Sequence, residues 1–169
     1  MDTRRKEILE LIKLMAWNTR TVEYAQYYLE GPGKYASPKE LTLHVIELMT
    51  QDGSAMGFEP GDDIGDIVEC LDDIAEHFHL LLSGSWFSEE DGLTGWLKAL
   101  GERWGRNGVR VLYIEDPKEK VLPIYAVEED KVSAILAQAQ KAEIPICGVE
   151  ELDDDADEEE DEAIDWTLG

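Results

Sequence analysis

The stretch Asn107-Gly108-Val109-Arg110-Val111-Leu112-Tyr113-Ile114-Glu115-Asp116-Pro117-Lys118, followed by Val121-Leu122-Pro123-Ile124-Tyr125-Ala126-Val127, decides the fold. Val109, Val111 and Tyr113 alternate with Arg110 and Leu112, a period of two rather than the 3.6 of a helix. Asn107-Gly108 closes whatever helix comes before, and Asp116-Pro117-Lys118 separates two runs rich in β-branched and aromatic residues. The segment therefore predicts an antiparallel hairpin.

Helical spacing resumes on both sides. Downstream, Val132, Ile135, Leu136 and Ala139 predict a helix from about Asp130, and residues 144–149 read as a short closing strand. Upstream, Ile8, Leu11, Ile12 and Met15 mark a first amphipathic helix. A second, capped by Asn18 or Thr19, carries Val22, Ala25, Tyr28 and Leu29, and Gly31-Pro32-Gly33 ends it. Ser37-Pro38-Lys39-Glu40 is a capping box with Pro at the first turn, opening a third helix that stops at Asp52-Gly53. Asp62 or Asp63 opens a fourth, with Ile64, Ile67, Val68, Leu71, Ile74 and Phe78 as its apolar stripe. Residues 80–82 could form a buried strand. Ser88 reads as the cap of a fifth helix bearing Leu93, Trp96, Leu97, Leu100 and Trp104. The expected fold class is α+β: a helical N-terminal half packed on a small, mostly antiparallel sheet.

Residues 1–149 form one expected domain, and residues 150–169 an acidic C-terminal tail. That tail carries 12 carboxylates and no basic side chain, half of the net charge of −24. Alone it would be disordered by self-repulsion, yet it ends in Ala163, Ile164, Trp166 and Leu168, which could dock on the body or hook a partner. The body, with 27 acidic against 15 basic residues, still holds −12. Such a surface repels phosphate backbones and anionic lipid and attracts cations or a basic protein. Nucleic acid and membrane are thus disfavoured as partners. A hydrophobic share of 43% is too high for a disordered chain, and 169 residues bury roughly 70% of their unfolded surface. Cys70 and Cys147 are too few for a disulfide scaffold and read as reduced, buried thiols. The N-terminus lacks a signal-peptide pattern, and no apolar run approaches the ~20 residues of a membrane span. The expected compartment is the cytoplasm.

Val111-Leu112-Tyr113-Ile114-Glu115-Asp116, Leu122-Pro123-Ile124-Tyr125-Ala126-Val127 and Ile135-Leu136-Ala137-Gln138-Ala139 carry a resemblance, with Gly57-Phe58 and the Asp-rich helix in the same frame. The body, without its tail, resembles an uncharacterised bacterial domain-of-unknown-function family. The resemblance implies a two-layer α+β fold and brings no catalytic residues with it. Some small acidic proteins of this build serve as immunity proteins against toxins, an analogy at the level of fold alone.

Several constellations could carry chemistry. Asp62-Asp63-Ile64-Gly65-Asp66 resembles the magnesium-diphosphate motif of terpene synthases, and Asp62 and Asp66 could share a helical face around Mg²⁺. Acids at a helix start also complement its dipole without any metal. The chain is short for that all-helical fold, and the hairpin contradicts it. Glu7 with Glu10, Glu69 with Asp72, and Asp73 with Glu76 are spaced as in a Mg²⁺-dependent helical pyrophosphohydrolase, but no basic cluster for phosphates accompanies them. His77 and His79 lack an obvious third ligand, and His44 reads as a satisfied buried imidazole. Cys70 and His77 stand two turns apart, too far to pair. Asp153, Asp155 and Asp157 alternate like an EF-hand loop, but Glu158 and Ile164 replace its Gly and Glu.

The leading expectation is a non-enzymatic module that binds a basic protein, as an immunity-type inhibitor or a nucleic-acid mimic would, and needs no cofactor. Its expected contacts are Trp86, Phe87 and Trp166 as apolar anchors and Asp153, Asp154 and Asp155 as charges. The alternative is a Mg²⁺-dependent phosphohydrolase whose metal sits on Asp62, Asp63 and Asp66, within the acidic helix of residues 62–76.

Overall fold

The computed structural model describes residues 1–59 and 61–152. Candidates Asp153, Asp154, Asp155 and Trp166, like the EF-hand-like run, lie outside the described residues. Three helices come first: α1 (Thr3–Met15), α2 (Thr19–Glu30) and α3 (Pro38–Asp52). Strand β1 (Ala55–Phe58) leads to α4 (Ile64–Phe78) and α5 (Gly92–Gly105). The hairpin β2 (Val109–Ile114) and β3 (Leu122–Glu128) follows, then α6 (Val132–Ala142) and β4 (Ile146–Gly148). The sheet runs β1-β3-β2-β4 with every neighbouring pair antiparallel, so the α+β expectation holds.

Local chemistry explains most boundaries. Ser37 and Glu40 form the reciprocal capping box at the start of α3, and Gly53 at φ +91° ends that helix in the left-handed conformation. Asp2 and Asp63 cap α1 and α4 through backbone N–H groups three residues on. Within the hairpin loop, the Asp116 carboxylate accepts from the N–H groups of Lys118, Lys120 and Val121. Burial would raise its pKa, but those three bonds hold it below the usual carboxylate value.

The sheet is covered on both faces, giving three layers rather than the two that the resemblance implied. Leu112 and Ile114 join residues of α1, α2, α3 and α6 in one core, while Val109 and Val111 join α4 and α5 in a second. Tyr125 and Val127 face the first core, Ile124 and Ala126 the second. Central β3 is consequently buried from Pro123 to Val127, as expected of a strand flanked by two apolar layers. Pro123 is tolerated because the pairing of β3 with β2 stops at Ile124.

Three expectations need correction. Residues 80–82 form no strand; Leu81 is 84% exposed, and its carbonyl accepts from Trp104 Nε1 at 2.9 Å. The fourth strand is instead Ala55–Phe58, too short to announce itself by periodicity. Helix α5 begins at Gly92, not after Ser88, because residues 88–91 close a turn and Gly92 takes φ +71°. Cys70 is exposed and Cys147 half-buried, so neither is the core thiol expected.

Candidate functional site

Helix α4 has one apolar side, where Ile67, Leu71, Ile74 and Ala75 are buried. At 100° per residue, Asp66, Glu69, Asp72, Asp73 and Glu76 fall on an opposite arc of about 120°, and all five are exposed. Cys70 stands about 80° from the centre of the buried stripe, which is why it reaches the surface. Its thiol pKa is raised by what burial it has and then by the charges of Glu69, Asp62, Asp66 and Asp73. The carboxylate part of that shift has the sign expected of crowded negative charge along the helix. Among the described residues, no ion pair uses an α4 carboxylate. From Lys39 to Lys98 the chain has no Lys or Arg between them and 14 carboxylates.

The helix ends are also occupied. Asp63 Oδ1 accepts from Asp66 N–H at 2.8 Å, and Asp62 Oδ2 accepts from Glu59 N–H at 2.9 Å. His79 holds φ +58° at the C-terminus, and Leu80 N–H returns to the Ala75 carbonyl at 2.8 Å. His77 lies flat on Trp17 with ring centroids 3.7 Å apart, so it and His79 serve the helix end separately. Among the described residues, no three His, Cys, Asp or Glu side chains gather to hold a metal ion. Glu7 and Glu10 lie on α1, across the sheet from Glu69 and Glu76, so the acid pairs do not face each other. Glu7 Oε1 accepts from Gln138, and Glu10 pairs with Lys13.

The two aromatic candidates differ. Phe87 is 6% exposed and belongs to the second core, so its ring is not available as a surface anchor. Trp86 is half-buried, meets Phe87 edge-on at 6.5 Å and carries the Arg103 guanidinium 5.1 Å above its ring. It ends the turn Gly84–Trp86, whose Gly84 lies beside Val68 of α4. Trp86 is thereby placed on the flank of the acidic helix.

The sequence profile of a domain of unknown function, DUF6630, matches residues 6–149. The chain belongs to that family. No curated protein and no solved structure matches it.

In this DUF6630 domain the buried charge lies elsewhere. Asp52, 8% exposed at the end of α3, accepts from Trp17 N–H at 2.8 Å, Asn18 N–H at 3.1 Å, Asn18 Nδ2 at 3.0 Å and the Thr21 hydroxyl. Burial would raise its pKa, but the bonds from Thr21, Trp17, Asn18 and Ser54 prevail and lower it. Asp52 thus caps α2 from another helix, a scaffold role that sequence reading missed because the partners are more than 30 residues away. His44 was expected to be satisfied; instead its Nε2 has no hydrogen-bond partner among the described residues. The ring stacks on Tyr28 at 3.6 Å, and burial pulls its pKa down to about 4.

Proposed function

We propose that this domain works by binding a basic protein, with the exposed arc of α4 as the docking face and Trp86 as the apolar contact at its flank. The observation that carries this reading is the set of five neighbouring α4 carboxylates, none of them in an ion pair among the described residues. Like charges three and four residues apart cost helix stability, and a cationic partner repays that cost by neutralising them. Complementary charge would speed the encounter and make it sensitive to salt. An inhibitor that fills a cationic groove of a toxin, or a protein that mimics nucleic acid, would work in this way.

The test separates this face from net charge. Glu69→Gln/Asp72→Asn/Asp73→Asn/Glu76→Gln removes four charges from α4, and Glu10→Gln/Glu23→Gln/Glu30→Gln/Glu47→Gln removes four from other helices. Titration of both variants against a panel of cationic proteins should show at least about tenfold weaker binding for the α4 variant alone. Equal weakening of the two would reduce the effect to bulk charge and defeat the proposal.

A further inference from the structure

The sheet has two outer strands, and they are not equally open. On one side β4 spans three residues, Pro145 precedes it, and a tight turn over Val149–Glu151 follows at once. A short strand preceded by proline is a protected edge. On the other side stands β1, whose far flank pairs with no strand among the described residues.

The ladder fixes which β1 groups face outward. Glu129 N–H donates to the Gly108 carbonyl at 2.8 Å, so Pro123, Tyr125 and Val127 also turn their backbone polar groups toward β2. Leu122, Ile124 and Ala126 then turn theirs toward β1, where Met56 and Phe58 oppose Ile124 and Leu122. It follows that Gly57 points its N–H and C=O away from the sheet. Gly57 is exposed and has no side chain to shield those groups. A Cβ added there would meet Val121 at 3.5 Å, an ordinary contact, so the site has room. Two residues on, Glu59 N–H is already taken by Asp62 Oδ2. Ala55 shares that outward parity but is only 1% exposed, so among the described residues the accessible donor and acceptor of this edge are those of Gly57, directly before the carboxylates of Asp62, Asp63 and Asp66.

Charge selects among occupants. The chain's own tail brings 12 carboxylates to an edge that already carries Glu59, Asp62, Asp63 and Asp66. A second copy paired β1 to β1 would bring the same four acids against themselves. An extended cationic segment meets neither obstacle. Its alternate side chains would lie on the two faces of the sheet: one set toward α4, where Met56 and Phe58 point, and the other over Gly57.

We infer that the partner of this domain presents an extended, lysine- or arginine-bearing segment that adds as a fifth strand along β1, bonding to the backbone of Gly57. This rests on the reading of α4 as the docking face and specifies the partner's conformation. Backbone pairing supplies affinity, and the adjacent carboxylates supply the preference for positive charge.

The probe is a blocked octapeptide alternating Lys and Val, with an alternating Glu and Val peptide as control, titrated into full-length ¹⁵N-labelled protein. The Lys peptide should shift the Gly57 amide resonance and slow its hydrogen exchange, while the Glu peptide does neither. Gly57→Pro removes the outward N–H without taking a donor from the ladder to β3 and should weaken Kd about tenfold, the scale of one hydrogen bond. Gly57→Ala keeps that N–H and should leave Kd unchanged. If Gly57→Pro binds as wild type while the α4 quadruple variant does not, strand addition is overturned and the acidic-face reading stands. Binding indifferent to both sets of changes overturns both. Self-association abolished by Gly57→Pro, or peptide binding tightened at least tenfold by deleting residues 153–169, would assign the edge to a second copy or to the chain's own end and overturn the inference. Should Gly57→Pro fail to fold, unslowed exchange of the wild-type Gly57 amide in saturating Lys peptide also overturns it.

Discussion

On the side of the sheet covered by α1, α2, α3 and α6, charged groups answer one another. Arg4 bonds the carbonyls of Ala142 and Glu143, closing α1 onto α6; Gln138 returns to Glu7; and Asp52 ties α3 to the start of α2. On the other side, α4 holds five exposed carboxylates along its outer arc, and the side-chain hydrogen bonds nearby lie at its N-terminal end, from Glu59 N–H to Asp62 and from Asp66 N–H to Asp63. Both sides bury comparable apolar stripes, so packing does not explain the contrast. What differs is whether the charge is used up within the fold. Carboxylates consumed internally are scaffold; single acids such as Glu23 and Glu47 also stand unpaired among the described residues, but along α4 five neighbouring ones do so together on one arc.

The largest effect should come from removing the scaffold carboxylate. Asp52→Ala strands the N–H groups of Trp17 and Asn18 and the Thr21 hydroxyl, and should cost about 3 kcal/mol in urea unfolding. Removing a carboxylate from the middle of α4 should cost nothing. If Asp52→Ala loses less than about 1 kcal/mol, the distinction between the two sides collapses. Acid has the same sign: because the native pKa of Asp52 is lowered, its contribution is present above the unfolded value of 3.8 and is lost as pH falls through the native one.

Much of this was legible in the chain. The capping box at Ser37, the stop at Gly53, the hairpin and the stripe of α4 follow from chemistry within a few residues, and each stands where the spacing places it. Less legible was whatever depends on distant partners. Ala55–Phe58 has four residues and no clean alternation, and becomes a strand because Leu122 to Tyr125 offers it a ladder. Cys70 looked buried because its neighbours in sequence are apolar, whereas its angle around α4 sets its exposure. The acidic helix was visible as composition, but whether its charges were paired was not, since pairing is decided by where Arg and Lys end up in space.

A middle-sized effect lies on the side covered by α1, α2, α3 and α6. His44 stays neutral in the fold to about pH 4, while the unfolded chain protonates near 6.5. Stability should be full above pH 6.5 and decline as pH falls toward 4, because only the unfolded state takes up the proton. The full shift corresponds to about 3 kcal/mol; solvent around the half-buried ring reduces this to on the order of 1 kcal/mol. His44→Phe keeps the stack on Tyr28 and should flatten the pH 4–6.5 slope measured by thermal unfolding. An unchanged slope would place the acid sensitivity elsewhere.

The smallest effect has the opposite sign and is the sharpest test of the contrast. Glu69 and Asp73, and likewise Asp72 and Glu76, stand four residues apart on one exposed arc with no cation between them. Glu76 also sits in the last turn, where the helix dipole disfavours negative charge. Neutralising Glu69, Asp72, Asp73 and Glu76 together should therefore raise stability by about 0.5–1 kcal/mol at low salt. The gain should shrink toward zero near 1 M salt, where the screening length is about 3 Å. A loss of stability would mean that these carboxylates have partners within the fold, and α4 would join the scaffold. A gain that vanishes with salt would mean that the protein carries an electrostatic strain its own residues do not relieve, which is the condition a cationic partner satisfies on binding.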